Sequence, residues 1–155
     1  MILAIDPGNE LSAYCMLDRA TLQPLDKAKV PNADLRALCY KATDIDSAVI
    51  ERVDSYGMGV GKTIFDTCIW TGKFSEALEY VGVPVTLLPR RSVKLHICGQ
   101  ARAKDSNIIA ALQERFGVKG TKKNPGWFYG FAADMWQAYA LGVTYIESML
   151  QKKVG

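Results

Sequence analysis

The chain has 155 residues, 49% of them hydrophobic, and a net charge of +3. That length suits one domain, residues 1–155, with a real core, and the apolar content is that of an ordinary globular protein. With no run of 18 apolar residues and no basic, cleavable leader, neither a membrane span nor a signal peptide is expected.

The chain opens on Met1-Ile2-Leu3-Ala4-Ile5-Asp6-Pro7-Gly8. A short apolar run bounded by a turn predicts a strand over 2–6 that is buried on both faces. Asp6 at its end either starts the Pro-Gly turn or needs a cation, because a lone buried carboxylate is costly. Strands over 12–18 and 25–30 follow, the second after the Gln23-Pro24 turn, and these three can form an antiparallel meander. A helix over 32–42 leads to a strand over 47–51, which ends on Glu51.

Residues 52–57 read as loop, and a long helix lies within 58–81, with Gly82 as its stop signal. Gly57-Met58-Gly59-Val60-Gly61-Lys62-Thr63 has the look of a phosphate-binding loop. That motif needs a glycine five residues before the glycine of Gly-Lys-Thr, and Tyr56 stands there. The stretch is better read as a glycine-rich helix entry, where Gly57 and Gly61 leave room for another backbone.

Residues 83–88 predict a fifth strand. Short helices near 90–98 and 105–116 precede a Gly/Lys-rich loop at 117–129. A last helix is expected over 130–151, with Trp127, Phe128 and Tyr129 as its packing rather than a base-stacking platform. In that helix Phe131, Asp134, Ala138, Leu141 and Tyr145 fall on one stripe, with the acid on the core side.

This is an α/β pattern. The strands at 47–51 and 83–88 are reached by helical crossovers, so they should run parallel to the first. Asp6 and Glu51 can then stand side by side at the carboxyl edge of the sheet, where ligands of such sheets bind. With Asp134 they would make a site for a hard cation. Two close carboxylates repel and raise each other's pKa, a conflict that divalent cations relieve.

Charge is uneven. Residues 86–123 hold nine Lys or Arg and two acids, so the rest of the chain is net acidic. A basic segment on an acidic body suits a phosphate-backbone binder. Arg90 and Lys94 share a face if 90–98 is helical. Lys104 precedes a helix N-terminus and suits a phosphate. Lys122 and Lys123 lie in the loop before Asn124-Pro125-Gly126. Cys15, Cys39, Cys68 and Cys98 are widely spaced, and His96 is the single histidine, so reduced thiols and a cytoplasmic location are expected rather than zinc.

Ala4-Ile5-Asp6-Pro7-Gly8, Val49-Ile50-Glu51 and Ala132-Ala133-Asp134, in that order and spacing, resemble the RuvC Holliday-junction resolvases of the RNase H-like nuclease superfamily. Pro89-Arg90-Arg91-Ser92-Val93-Lys94 and Ala103-Lys104-Asp105-Ser106 resemble that family's basic DNA-binding stretch. The likeness spans nearly the whole chain and suggests a bacteriophage-type member. It implies an RNase H-like mixed five-stranded sheet, a three-strand antiparallel meander plus two parallel strands, flanked by helices.

The resemblance also implies a metal-dependent, structure-selective endonuclease that resolves four-way DNA junctions as a homodimer. Two Mg²⁺, for which Mn²⁺ can substitute, would be held by Asp6 between them and by Glu51 and Asp134 at the flanks, with Lys104 at the scissile phosphate. Arg90, Arg91, Lys94, Lys104, Lys122, Lys123 and Tyr56 would contact DNA. Two departures stand out. Phe131 occupies the place of a fourth metal-site residue, for which Asp105 and Gln137 are candidates, although Asp105 equally suits a helix cap. Asp54 stands where the family carries an aromatic, and Tyr56 is the nearest one. A broader branched-DNA or RNase H-like nuclease, or a junction-binding module with an inactive site, is the alternative.

Overall fold

The structure, a computed structural model, describes residues 1–154. The elements follow as β1 (Ile2–Asp6), β2 (Leu11–Leu17), β3 (Pro24–Pro31), α1 (Asn32–Cys39), β4 (Ser47–Arg52), α2 (Lys62–Tyr80), β5 (Val85–Pro89), α3 (Arg90–Cys98), α4 (Asp105–Phe116) and α5 (Met135–Val154). The five strands form one sheet in the order β3-β2-β1-β4-β5. β1, β2 and β3 pair antiparallel, while β4 and β5 run parallel to β1. The expected mixed sheet is therefore the observed one.

Strand alternation divides the core. Ile2 and Ala4 of β1, Ala13 and Cys15 of β2 and Val49 of β4 face α5. Leu3, Ile5, Ala48 and Ile50 face the opposite layer, which contains Leu35 of α1 and Phe74 of α2. Residues 136–146 of α5 are buried all round, as befits a helix packed between the sheet and α3 and α4. Gly142 makes this close approach possible: a Cβ there would stand 2.5 Å from Leu17 Cδ1. Trp127 stacks on Phe116 at 5.5 Å and Phe128 is fully buried, so both belong to the core as expected, whereas Tyr129 is exposed and does not.

Several expected boundaries move, the first helix ending at Cys39 rather than 42, and two of the shifts have a clear local reason. The strand expected from 83 begins at Val85 because Val83 still belongs to the end of α2. Its N–H donates to the Leu78 carbonyl across Gly82, whose φ of 84° is left-handed. The last helix begins at Met135 rather than 130, because Gly130 (φ 80°) and Ala133 (φ 46°) both lie outside helical space. Phe131 and Asp134 therefore do not share a helical stripe. Phe131 is fully buried, and Asp134 is half-exposed just before the first turn. Among the described residues no helix is long and apolar enough to cross a membrane.

Candidate metal centre and nucleic-acid surface

Parity along the strands puts the two strand-end acids on one face. Asp6 follows Ala4 by two residues, and Glu51 follows Val49 by two, so both lie on the α5 side. The β1–β4 register pairs Ile5 with Ile50, which makes Asp6 and Glu51 neighbours one step on. The register carries the row further: Lys29 pairs with Ala13, Ala13 with Asp6, and Glu51 with Leu88. The row thus reads Lys29, Ala13, Asp6, Glu51, Leu88, and its two acids are central.

The turn behind Asp6 is locked. Gly8 N–H donates to Ser12 Oγ at 3.0 Å, the Ser12 hydroxyl donates to Asn32 Oδ1 at 2.6 Å, and Asn32 Nδ2 returns to the Gly8 carbonyl at 2.9 Å. Both side chains are buried, so this closed loop of bonds satisfies groups that would otherwise be costly. No side chain fits at Gly8, where a Cβ would stand 2.2 Å from the Leu11 carbonyl oxygen.

Asp134 arrives from the α5 layer that covers this face. Its carbonyl accepts the N–H groups of Gln137 and Ala138, which starts α5, and its carboxylate pairs with Lys29. Asp105 is the first residue of α4 and does not cap it. The carboxamide of Asn107 accepts the Lys104 N–H at 2.8 Å, and the Asp105 carboxylate goes to Arg90 instead. Gln137 is buried in α5.

Arg90 is the pivot of the site. Its Nη1 stands 3.3 Å from both oxygens of Glu51, and its Nη2 stands 2.6 Å from Asp105 Oδ1. Burial holds the Asp6 carboxyl well above the usual range. Glu51, Asp134 and Asp105 add to this by repulsion, and Arg90 opposes it. Glu51 is raised too, first by burial, against the pull of Arg90 and Lys94. Arg90 is pushed further toward its charged form: burial works against the charge, and Glu51, Asp105 and Asp6 outweigh it.

The acids expected to meet at one end of the sheet are there, but they do not form a closed cage. Among the described residues, no three carboxylate, thiol or imidazole groups stand close enough to hold one ion. Arg90 and Lys29 hold Glu51, Asp105 and Asp134 as salt bridges. The chemistry of the donors still fits a hard divalent cation: all are carboxylate oxygens, and the repulsion at Asp6 marks a local surplus of negative charge.

Beside this cluster lies a cavity of about 500 Å³ lined by Tyr56, Arg90, Arg91, Lys94, Ala101 and Arg102. Tyr56 is exposed, with a left-handed φ of 50°. Lys104 is exposed at the start of α4. Lys122 and Lys123 occupy the tip of a tight turn in which Thr121 and Asn124 exchange backbone hydrogen bonds. The glycine-rich segment at 57–61 is exposed, and Lys62 pairs with Asp66 within α2, which gives no phosphate cradle. Sequence reasoning missed Lys29 and Arg102. Lys29 had a signal in the alternation Lys27, Ala28, Lys29, Val30, which puts both lysines on one face of β3.

The fold and its carboxyl-edge acids define an RNase H-like α/β architecture. Among solved structures, a Thermus thermophilus RuvC structure superposes with a TM-score of 0.70 at 15% identity, over 97% of this chain and 96% of that one. T. thermophilus RuvC in complex with Holliday junction substrate gives 0.75 at 15%, over 97% and 95%. The yeast mitochondrial Holliday junction resolvase Ydc2 gives 0.64 at 10% identity, over 98% and 81%. The sequence matches no protein-family model and no curated protein. The chain has the fold of RuvC.

Proposed function

We propose that this protein is a divalent-metal-dependent DNA endonuclease that resolves four-way junctions by paired phosphodiester cleavage. The observation that carries this reading is the placement of Asp6 and Glu51 side by side at the carboxyl edge of a RuvC-type sheet. Asp134 and Asp105 stand close enough to Asp6 to repel it.

Asp6, Glu51 and Asp134 would hold the metal, Mg²⁺ or Mn²⁺. When bound, a divalent pair supplies activation of water and stabilisation of the leaving oxygen in phosphodiester hydrolysis. The chain's own residues do the positioning. Ser12 and Asn32 fix the turn behind Asp6. Arg91, Lys94 and Arg102 offer cations to backbone phosphates beside the carboxylates, and Lys122 and Lys123, on a separate turn, are further candidates for phosphate contact. Lys104 at the start of α4 is our candidate for the scissile phosphate, and Tyr56 for contact with a nucleotide.

Two symmetric cuts are most simply made by a C2 dimer. Phe65 and Ile69, one helical turn apart on α2 and both more than half exposed, offer an apolar face for it. A cytoplasmic setting, that of the host for a phage-encoded protein, suits this chemistry.

One observation favours a second reading, a junction-binding module with an inactive site: Arg90 and Lys29 already neutralise three of the four acids. Incubation with a labelled synthetic four-way junction or the matching linear duplex, in Mg²⁺ or EDTA, decides between the two. Paired nicks in the junction alone, dependent on Mg²⁺, support the resolvase. Tight junction binding with no cleavage in either Mg²⁺ or Mn²⁺ supports the module.

A further inference from the structure

Arg90 belongs to two places at once. Its guanidinium spans Glu51 and Asp105, and the same side chain lines the basic cavity with Arg91, Lys94 and Arg102. Its backbone is fixed as the first residue of α3, after Pro89. A cation there runs against the helix dipole, so the position is held by the carboxylates and not by the helix. Arg90 is about one-quarter exposed and Glu51 about one-eighth, so this pair is screened from solvent far more than a surface bridge. One positive charge faces Glu51, Asp105 and Asp6, a set that it cannot neutralise.

We propose that Arg90 is a built-in counter-ion of the metal site: a divalent cation must displace it from Glu51 and Asp105, and the freed guanidinium then takes a DNA phosphate in the adjoining cavity. This rests on the metal-site reading above. A side chain that leaves the acids when metal enters, and that binds DNA only once it has left them, ties the two ligands together. By linkage the coupling is reciprocal: DNA that draws Arg90 away raises the affinity for metal. The device keeps Glu51 and Asp105 paired until both are present. A bidentate guanidinium suits both partners, since carboxylate and phosphate present the same pair of oxygens.

The test is Mn²⁺ binding to the DNA-free full-length protein, read from the free-ion EPR signal, for wild type, Arg90→Gln, Arg90→Lys and Asp6→Asn. Arg90→Gln should bind Mn²⁺ tighter than wild type by about tenfold or more, the scale of one close charge pair. Arg90→Lys, which keeps the charge but not the fork, should fall between them, and it carries the test if Arg90→Gln does not fold. In EDTA, Arg90→Gln should leave junction affinity within about twofold of wild type, because Arg90 is then held by the acids, whereas Arg91→Gln should weaken it. Unchanged or weaker Mn²⁺ binding in Arg90→Gln and Arg90→Lys overturns the proposal. A large loss of junction affinity for Arg90→Gln in EDTA overturns it as well. Undiminished Mn²⁺ binding in Asp6→Asn would instead overturn the metal site itself.

Discussion

Asp6 and Lys29 stand in one row across three strands, separated only by Ala13. The small side chain of Ala13 leaves the lysine a path over the sheet, and its ammonium ends on Asp134 rather than on Asp6. Lys29 and Arg90 therefore bracket the acids from opposite ends of this row, Lys29 on Asp134 and Arg90 on Glu51 and Asp105.

That bracketing predicts the behaviour of Lys29→Met. Both partners of the pair are substantially exposed, so stability should change by less than about 1 kcal/mol. With Asp134 released, the Mg²⁺ concentration for half-maximal cleavage should fall. A titration of cleavage against Mg²⁺ checks this, and a rise in that concentration would mean that Lys29 supports the site in another way.

The raised acids predict a pH dependence of stability. Asp6 and Glu51 hold their protons more tightly folded than unfolded. Their stabilising contribution is therefore complete below the unfolded-state value near pH 4 and is lost as pH rises through the folded-state values. At pH 7, without metal, Asp6→Asn should melt higher than wild type, by a few degrees, since about 1 kcal/mol moves such a domain by roughly 2–4 °C. The advantage should shrink toward pH 3. Thermal melts in EDTA across that range measure it, and a lower melting temperature at pH 7 would contradict the electrostatic account.

Salt dependence tests the DNA surface. Each lost phosphate contact should flatten the slope of log affinity against log salt by about one unit. Charge removal at Arg91, Lys94, Lys122 and Lys123 should show this. Lys104→Ala should reduce cleavage more than affinity if it serves the scissile phosphate. An unchanged slope after all four neutralisations would place the DNA on another face.

Oligomeric state tests the exposed stripe of α2. Ile69→Glu should shift sedimentation from dimer to monomer and abolish paired cuts, while single-site Mn²⁺ binding persists. A monomeric wild-type protein that still makes paired cuts would remove the role given to Phe65 and Ile69.

Much of this site was legible in the chain because short apolar runs ending on acids fix both a strand and its carboxyl end. Asp6 and Glu51 needed only parallel pairing to become neighbours. Asp134 was legible as an acid of the site but not in its setting: Gly130 could open or interrupt a helix, and no residue type announces the left-handed Ala133. Asp105 suited a helix cap as well as the metal site, and the cap is not the role it takes. Lys104 holds the cap position through its backbone, which leaves the Asp105 carboxylate free for Arg90. The placement of Arg90 among the acids was not legible, since the sequence has no term for which of two nearby phosphate-like partners a long side chain takes.

The most direct measurement pairs binding in EDTA with cleavage in Mg²⁺ for Asp6→Asn on a synthetic four-way junction. The account predicts junction affinity, measured in EDTA, close to that of wild type, because the basic surface is untouched. It predicts cleavage reduced by about 10³-fold or more, the loss expected when several kcal/mol of metal-derived transition-state stabilisation disappear. Near-normal nicking by Asp6→Asn would contradict it.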